Sequence, residues 1–174
     1  GAFYESANFA VVRNLPVLFV CENNLYSVYS PLNVRQPKNR KIYKMVQGMG
    51  IKSIIVDGNN VEDVYKSVLK AKAEILKKKQ PIFIEMPTYR WREHCGPHFD
   101  NHIGYRDEKE FLRWKKKDPI KIFSNKLLNR NKISEVQLKK IYTSIEKEID
   151  EAFDFAKNSP FPKLALSTST IFAK

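Results

Sequence analysis

The sequence predicts an α/β fold, a mostly parallel sheet flanked by helices, with C-terminal helices after it. Three observations predict this. Short apolar runs at Val17–Cys21, Ser53–Val56 and Pro81–Met86 are rich in Val, Ile and Phe and bounded by turn signals, as strands buried on both faces read. Stretches with the apolar spacing of helices lie between them. Beyond Arg90 the strand-like runs cease and helical patterns take over. Strands alternating with helices mean βαβ units and a parallel sheet.

Residues 3–13 read as a helix with Phe3, Ala7, Ala10 and Val11 on one side. The first strand follows at Val17–Cys21. In Lys38–Met49 the residues Ile42, Met45, Val46 and Met49 fall at i, i+3, i+4 and i+7, predicting a second helix. After the Ser53–Val56 strand, the turn Asp57-Gly58-Asn59-Asn60 opens a helix over Val61–Lys79, with Val61, Val64, Val68, Ile75 and Leu76 marking one face. The third strand is Pro81–Met86. Residues 91–107, WREHCGPHFDNHIGYRD, hold all three histidines and show no apolar period. A loop of that length in a compact domain is usually functional or disordered, and its aromatic content disfavours disorder.

Helix returns over 108–157. Phe111 and Trp114 mark one segment, Ile120–Leu128 a second and Ser134–Ala156 a long third. Ser134 is placed to cap the last one. Leu138, Ile141, Ile145 and Ile149 are expected to form its buried stripe, and Pro160 and Pro162 to end it. The tail Leu164–Lys174 reads as an edge strand. The predicted organisation is residues 1–107 as the α/β body, carrying the loop 91–107, and 108–174 as its helical extension.

At 174 residues, 43% hydrophobic and 12% aromatic, the chain is long enough for one domain with a real core. No run approaches 18 apolar residues, so no membrane span is expected. The start does not read as a basic-then-apolar leader, and the expected location is cytoplasmic. The net charge of +12 divides evenly, +6 before Glu108 and +6 from there on. Short runs at Lys77–Lys79 and Lys115–Lys117 fall where solvated helix ends are expected. Nucleic-acid recognition usually shows a concentrated basic face, so a Lys-rich surface is the better reading. Two cysteines make neither a disulfide framework nor a metal cluster. Cys21 reads as a small buried hydrophobe. Cys95, beside His94, invites a thiolate reading but has no third orienting group in view.

Ligands of open α/β sheets bind at the carboxyl ends of strands, and two strand ends here are chemically loaded. One carries Glu22-Asn23-Asn24 with Tyr26; the other carries Tyr89-Arg90-Trp91 leading to Glu93-His94-Cys95. The Asn24 side-chain oxygen and the Tyr26 main-chain oxygen are neutral, hard donors that suit Mg²⁺. Taken alone, two asparagines after a strand are better explained as a turn.

Taken together, the stretches GAFYES (1–6), LPVLFVCENNLYSV (15–28), VDGNNVEDV (56–64), PIFIEMPTYRWREHCGP (81–97) and IGYRDEKEF (103–111) resemble the α subunit of thiamine-diphosphate-dependent 2-oxo acid dehydrogenases, the E1 component, nearly end to end. The resemblance implies thiamine diphosphate and Mg²⁺ as cofactors. Asn24 would give the metal its side-chain oxygen and Tyr26 its main-chain oxygen, anchoring the cofactor diphosphate. His94 would be the active-site histidine, near the diphosphate and the reacting species, where an imidazole's adjustable charge is useful. The implied chemistry is attack of the thiazolium ylid on a pyruvate-like 2-oxo acid, loss of CO₂ and transfer of the acyl unit, or cleavage of acetoin. The implied partners are an E1 β subunit in an α2β2 assembly and a lipoyl-bearing E2 acyltransferase. Cys95 stands where some relatives carry a regulatory phosphorylated serine, so that control is expected to be lacking.

The sequence also departs from the family pattern. The Gly-Asp-Gly half of the cofactor signature, whose Asp would be an anionic metal ligand, does not occur before Asn23-Asn24. The chain resembles the C-terminal portion of an α subunit, either a fragment or a split product, and alone it is expected to be inactive. The loop WREHCGPHFDN differs from the His-Gly-His-Ser form of typical pyruvate dehydrogenases, with Arg92 in place of a histidine and Glu93 in place of a glycine. That leaves open a specialised sugar or other 2-oxo substrate. A non-catalytic scaffold for a β subunit is the competing class, and a basic nucleic-acid-binding domain a more distant one.

Overall fold

The structure is a computed structural model and describes residues 1–163; the edge strand expected at Leu164–Lys174 lies outside the described residues. The order of elements is α1 (Ala2–Val12), β1 (Leu18–Asn23), β2 (Tyr26–Ser27), β3 (Ser30–Pro31), α2 (Leu32–Arg35), α3 (Ile42–Gln47), β4 (Lys52–Ile55), α4 (Val61–Lys78), β5 (Ile82–Pro87), a 3₁₀ turn (Asn101–Ile103), α5 (Glu108–Lys115), α6 (Pro119–Asn129) and α7 (Glu135–Asn158). Among the described residues no helix is long and apolar enough to cross a membrane. The chain divides into two compact units, one over Gly1–Phe123 and one from Ser124 onward.

The first unit holds the parallel sheet and runs past residue 107, the expected end of the α/β body, to Phe123. β1, β5 and β4 form a three-stranded parallel sheet in the order β1-β5-β4. The path from β1 to β4 passes β5 and returns to it, so the two crossovers run in opposite directions across the sheet. Their helices, α3 and α4, lie on opposite faces, as crossovers of one hand require. On one face Ile82, Ile84 and Met86 of β5 pack with Ala71 and Ile75 of α4, joined by Leu18, Ile54, Val64 and Val68. On the other face Phe83 packs with Ala7 of α1 and Val46 of α3, joined by Phe3, Val11, Phe19 and Cys21. The period-2 alternation of β5 thus feeds both layers.

Among the described residues only β5 is buried nearly along its length, from Ile82 to Met86. β1 and β4 are sheet edges, and Val20 is 48% exposed, so the expectation of three strands each buried on both faces holds for the central strand alone. The helix expected over Lys38–Met49 is shorter: α3 spans Ile42–Gln47, and the residues before it form turns. The hairpin β2–β3 and the single turn α2 fill the preceding stretch, which lacks apolar periodicity. α4 matches its prediction closely. Asn60 caps it by accepting the Asp63 N–H, but its buried stripe runs through Val64, Val68, Ala71 and Ile75, leaving Val61 and Leu76 exposed. Lys52 and Lys78 both pair with Glu74, tying β4 to the last turns of α4.

In the second unit α7 begins with the expected cap. Ser134 and Gln137 bond reciprocally as a capping box. The stripe expected to be buried is not: Ile141, Ile145 and Ile149 are 48–49% exposed. The 3.6-residue period fixes which side of a helix is apolar, but not that this side is covered.

Candidate functional site

The carboxyl ends of the three strands meet at one edge and are cross-linked there. The Thr88 N–H donates to the Asn23 carbonyl at 3.0 Å and the Gly58 N–H to the Pro87 carbonyl at 3.0 Å. Gly58 is required by that approach, since a Cβ would stand 2.7 Å from the Pro87 oxygen. Thr88 Oγ1 donates to Asn59 Oδ1 at 2.8 Å, and Asn59 Nδ2 donates to the Lys117 carbonyl at 2.7 Å. This edge is the floor on which the loops after β1 and β5 rest.

The two adjacent carboxamides each close a turn over the residue that follows. Asn23 Oδ1 accepts the Leu25 N–H at 3.2 Å, and Asn24 Oδ1 accepts the Tyr26 N–H at 3.0 Å. These are Asx turns, the local bonding that makes Asn a turn residue. Leu25 and Val28 sit at φ of 70° and 54°. For a β-branched residue such as Val28 that conformation is strained. Asn23 is further committed below the turn. Its Nδ2 donates to Glu85 Oε1 at 2.8 Å, while Glu85 Oε2 accepts the Tyr43 N–H at 2.9 Å. A carboxylate buried in the central strand is thereby satisfied by one side-chain and one main-chain donor.

Asn24 is committed only to its own turn, so its oxygen keeps a second lone pair. The Leu32 N–H donates to the Leu25 carbonyl, so the next pair of the hairpin, Tyr26 with Pro31, is a non-hydrogen-bonded one and the Tyr26 carbonyl turns away from the partner strand. Two neutral oxygens on one tight turn therefore suit a hard divalent cation that takes its other ligands elsewhere. Among the described residues no three His, Cys, Asp or Glu side chains gather into a metal-binding group.

The loop after β5 is bonded to this turn through Arg90. Its Nη2 donates to the Val28 carbonyl and to the Tyr105 hydroxyl, each at 3.0 Å, and Tyr105 donates in turn to Asp100 Oδ2 at 2.8 Å. Arg106 is the hub of the loop. It donates to the carbonyls of Arg90 and Trp91, to Asn101 Oδ1, and to Asp100 Oδ1 at 2.5 Å. Aromatic rings surround these charges. Tyr26 meets Tyr89 and Tyr105 edge-on at 6.1 and 5.5 Å, and Tyr89 stacks on Trp114 at 5.5 Å. The Tyr26 hydroxyl donates to Glu110 Oε1 at 2.7 Å. Burial, reinforced by Glu110, raises the Tyr26 phenol above its usual range and pushes Tyr89 up to about 12. Burial and the bond to Asp100 raise Tyr105 in the same direction. In β1 the Cys21 thiol is raised by burial and by Glu85 and Glu22, the opposite of nucleophile activation.

Two consecutive residues at this strand end bury donors without partners among the described residues, Arg90 Nε and Trp91 Nε1, while the neighbouring Tyr89 hydroxyl is turned toward Glu110 and Arg106 without a bond of ordinary geometry. Buried donors normally find acceptors. Asn24 and Tyr26 thus share one turn, bonded to Arg90 and ringed by tyrosines. His94 lies apart, exposed in the loop and making no hydrogen bond or ion pair among the described residues. Cys95 is exposed and free, and Cys21 is half-buried and free. Glu85, Asp100, Tyr105, Arg106 and Glu110 were not singled out from sequence. The signal for Glu85 was available, because a lone carboxylate inside the apolar run PIFIEM must find buried donors.

A parallel α/β sheet with loaded strand ends defines a protein of the class that binds its ligand at the carboxyl edge. The chain belongs to the dehydrogenase E1 component family, whose sequence profile residues 1–165 match. It is 33% identical to the pyruvate dehydrogenase E1 component subunit alpha of Rickettsia bellii over 162 residues, which is 93% of this chain and 48% of the relative. It is 31% identical to the 2-oxoisovalerate dehydrogenase subunit alpha of Bacillus subtilis over 174 residues, 100% of this chain and 52% of the relative. A pyruvate dehydrogenase E1 component subunit alpha of Porphyra purpurea is 32% identical over 173 residues. The chain spans about half the length of these relatives.

Proposed function

We propose that this chain supplies the diphosphate-holding part of a thiamine-diphosphate site in the E1 α subunit of a cytoplasmic 2-oxo acid dehydrogenase. A β subunit would complete the site in an α2β2 assembly, and a lipoyl-bearing E2 would accept the acyl unit. The observation that carries the reading is the strand-end turn that holds the Asn24 oxygen and the Tyr26 carbonyl and is bonded through the Val28 carbonyl to Arg90, whose Nε, like Trp91 Nε1, is left without an acceptor among the described residues. The two oxygens fit Mg²⁺ and the donors fit an acceptor-rich diphosphate. When bound, thiamine diphosphate supplies the electron sink for decarboxylation. The protein residues would position it: Asn24 and Tyr26 would hold the metal through neutral oxygens, the tyrosines would line the turn beside it, and His94 would offer a proton donor or acceptor at the loop. The three named relatives are pyruvate or 2-oxoisovalerate dehydrogenase subunits, which supports a pyruvate-like or branched 2-oxo acid substrate over acetoin.

The test is calorimetric titration of thiamine diphosphate into the α subunit carrying these residues, assembled with its β subunit, with and without Mg²⁺. Binding that needs Mg²⁺ and weakens in Asn24→Ala supports the proposal. Binding indifferent to both changes would sink it. Release of CO₂ from pyruvate, 2-oxoisovalerate and acetoin-derived substrates then ranks the candidates.

A further inference from the structure

We propose that Glu93 is a positioning residue for His94, holding the turn that presents the imidazole before any cofactor is bound. The proposal rests on the role given to His94 above. Residues 93–98 close on themselves twice. The Glu93 N–H donates to the His98 carbonyl at 2.9 Å. The Glu93 side chain folds inward, and its Oε1 accepts the His98 N–H at 3.2 Å. One residue therefore bonds both main-chain groups of another, and His94, Cys95, Gly96 and Pro97 form the tip between them.

Two neighbours complete the staple. Arg92 Nη1 donates to the Pro97 carbonyl at 2.8 Å, while its guanidinium lies 4.1 Å from the centre of the Phe99 ring. Gly96 leaves room for the carboxylate, since a Cβ there would fall on Glu93 Oε1. That carboxylate is the end of a flexible side chain, so a larger residue at 96 would displace it and open the staple rather than strain the backbone. His94 itself makes no side-chain bond among the described residues. Its direction is set by the main chain of this turn, and so by Glu93. Arg92 and Glu93 are also two of the three positions, with Cys95, where the loop departs from the His-Gly-His-Ser form. A glycine at 93 would have no carboxylate to give.

A bonded turn loses little further freedom when a ligand arrives, which lowers the ordering cost of binding. The test is amide hydrogen exchange on the α subunit carrying these residues, assembled with its β subunit, before and after adding thiamine diphosphate with Mg²⁺. Without cofactor, the Glu93 and His98 amides are expected to exchange about tenfold or more slowly than in an unstructured peptide. Glu93→Ala and Gly96→Ala should abolish that protection. Glu93→Gln, whose amide oxygen can accept the same bond, should keep it. Turnover should follow the same order, falling in the alanine variants and recovering with glutamine. Wild-type amides that exchange freely until cofactor is added would overturn the staple, as would a glutamine variant that behaves like alanine. Protected amides combined with full turnover in His94→Ala would instead sink the role of His94, and with it the positioning role of Glu93.

Discussion

Arg106 and Asp100 form an ion pair in which each side chain is only 1% exposed. Arg106 also donates to the carbonyls of Arg90 and Trp91, so the pair joins the exit of β5 to the far end of the loop that follows. A buried pair is weak evidence of net stabilisation, but breaking it leaves an unpaired charge. Arg106→Met is expected to cost about 3–5 kcal/mol. Arg106→Met with Asp100→Leu should cost less than the single change. Urea unfolding of the three proteins measures both, and a single variant as stable as wild type would refute the hub.

Glu85 should behave in the same way one layer down. Its two oxygens receive the Asn23 amide and the Tyr43 N–H. Glu85→Leu strands both donors, at about 1–3 kcal/mol. Hydrogen exchange should then show faster exchange at Tyr43 and Leu25, because Asn23 loses its anchor.

Three of the eight tyrosines, Tyr26, Tyr89 and Tyr105, are shifted upward. Ultraviolet titration should show a late step, with Tyr89 near 12. A phenol raised in the folded state stabilises it fully below its unfolded value of about 10, and that contribution is lost as pH rises through the folded value. Stability should therefore fall between about pH 10 and 12, and Glu110→Gln should lower the Tyr26 step.

Two of the side-chain caps, Asn60 and Ser134, allow a cleaner measurement. Asn60→Ala and Ser134→Ala should each cost about 1 kcal/mol. Asn60 caps a helix packed on the sheet and Ser134 one whose apolar stripe is half-exposed. Each loss should appear as faster exchange in the first turn of its own helix.

Removal of Mg²⁺ by chelation should reverse cofactor binding in the assembled protein. Asn24→Ala should raise the Mg²⁺ concentration needed by about tenfold or more, the scale on which metal-site substitutions act. Asn23→Ala should act on stability instead, because Asn23 is bonded to Glu85.

The parts of the fold legible in the sequence were those with a long, regular period. α1, α4 and α7 lie within about a residue or two of their expected bounds, and all three strands of the main sheet were found. The stretch between Tyr26 and Lys41 was not legible. There a two-residue hairpin and a single helical turn are held by contacts such as Leu32 N–H to the Leu25 carbonyl at 2.7 Å, which leave no periodic trace. Asn24 and Tyr26 stand out in the sequence because a strand that stops on amides is chemically conspicuous, and the fold places the two on one turn. Asp100 and Arg106 do not, because two opposite charges six residues apart in a loop look solvated until the fold buries them. The stripe of α7 shows the converse error, since amphipathicity in a sequence does not supply the surface that would cover it.

The order β1-β5-β4 leaves the outer side of β1 unpaired among the described residues, and Val20 stands half-exposed beside it. A row of free N–H and C=O groups next to apolar side chains is a template for strand addition. Expressed by itself, this polypeptide should therefore be prone to self-association along that border. A charged residue at Val20, or a proline at a position on β1 whose N–H faces outward, would be the simplest means of keeping it in solution as single molecules.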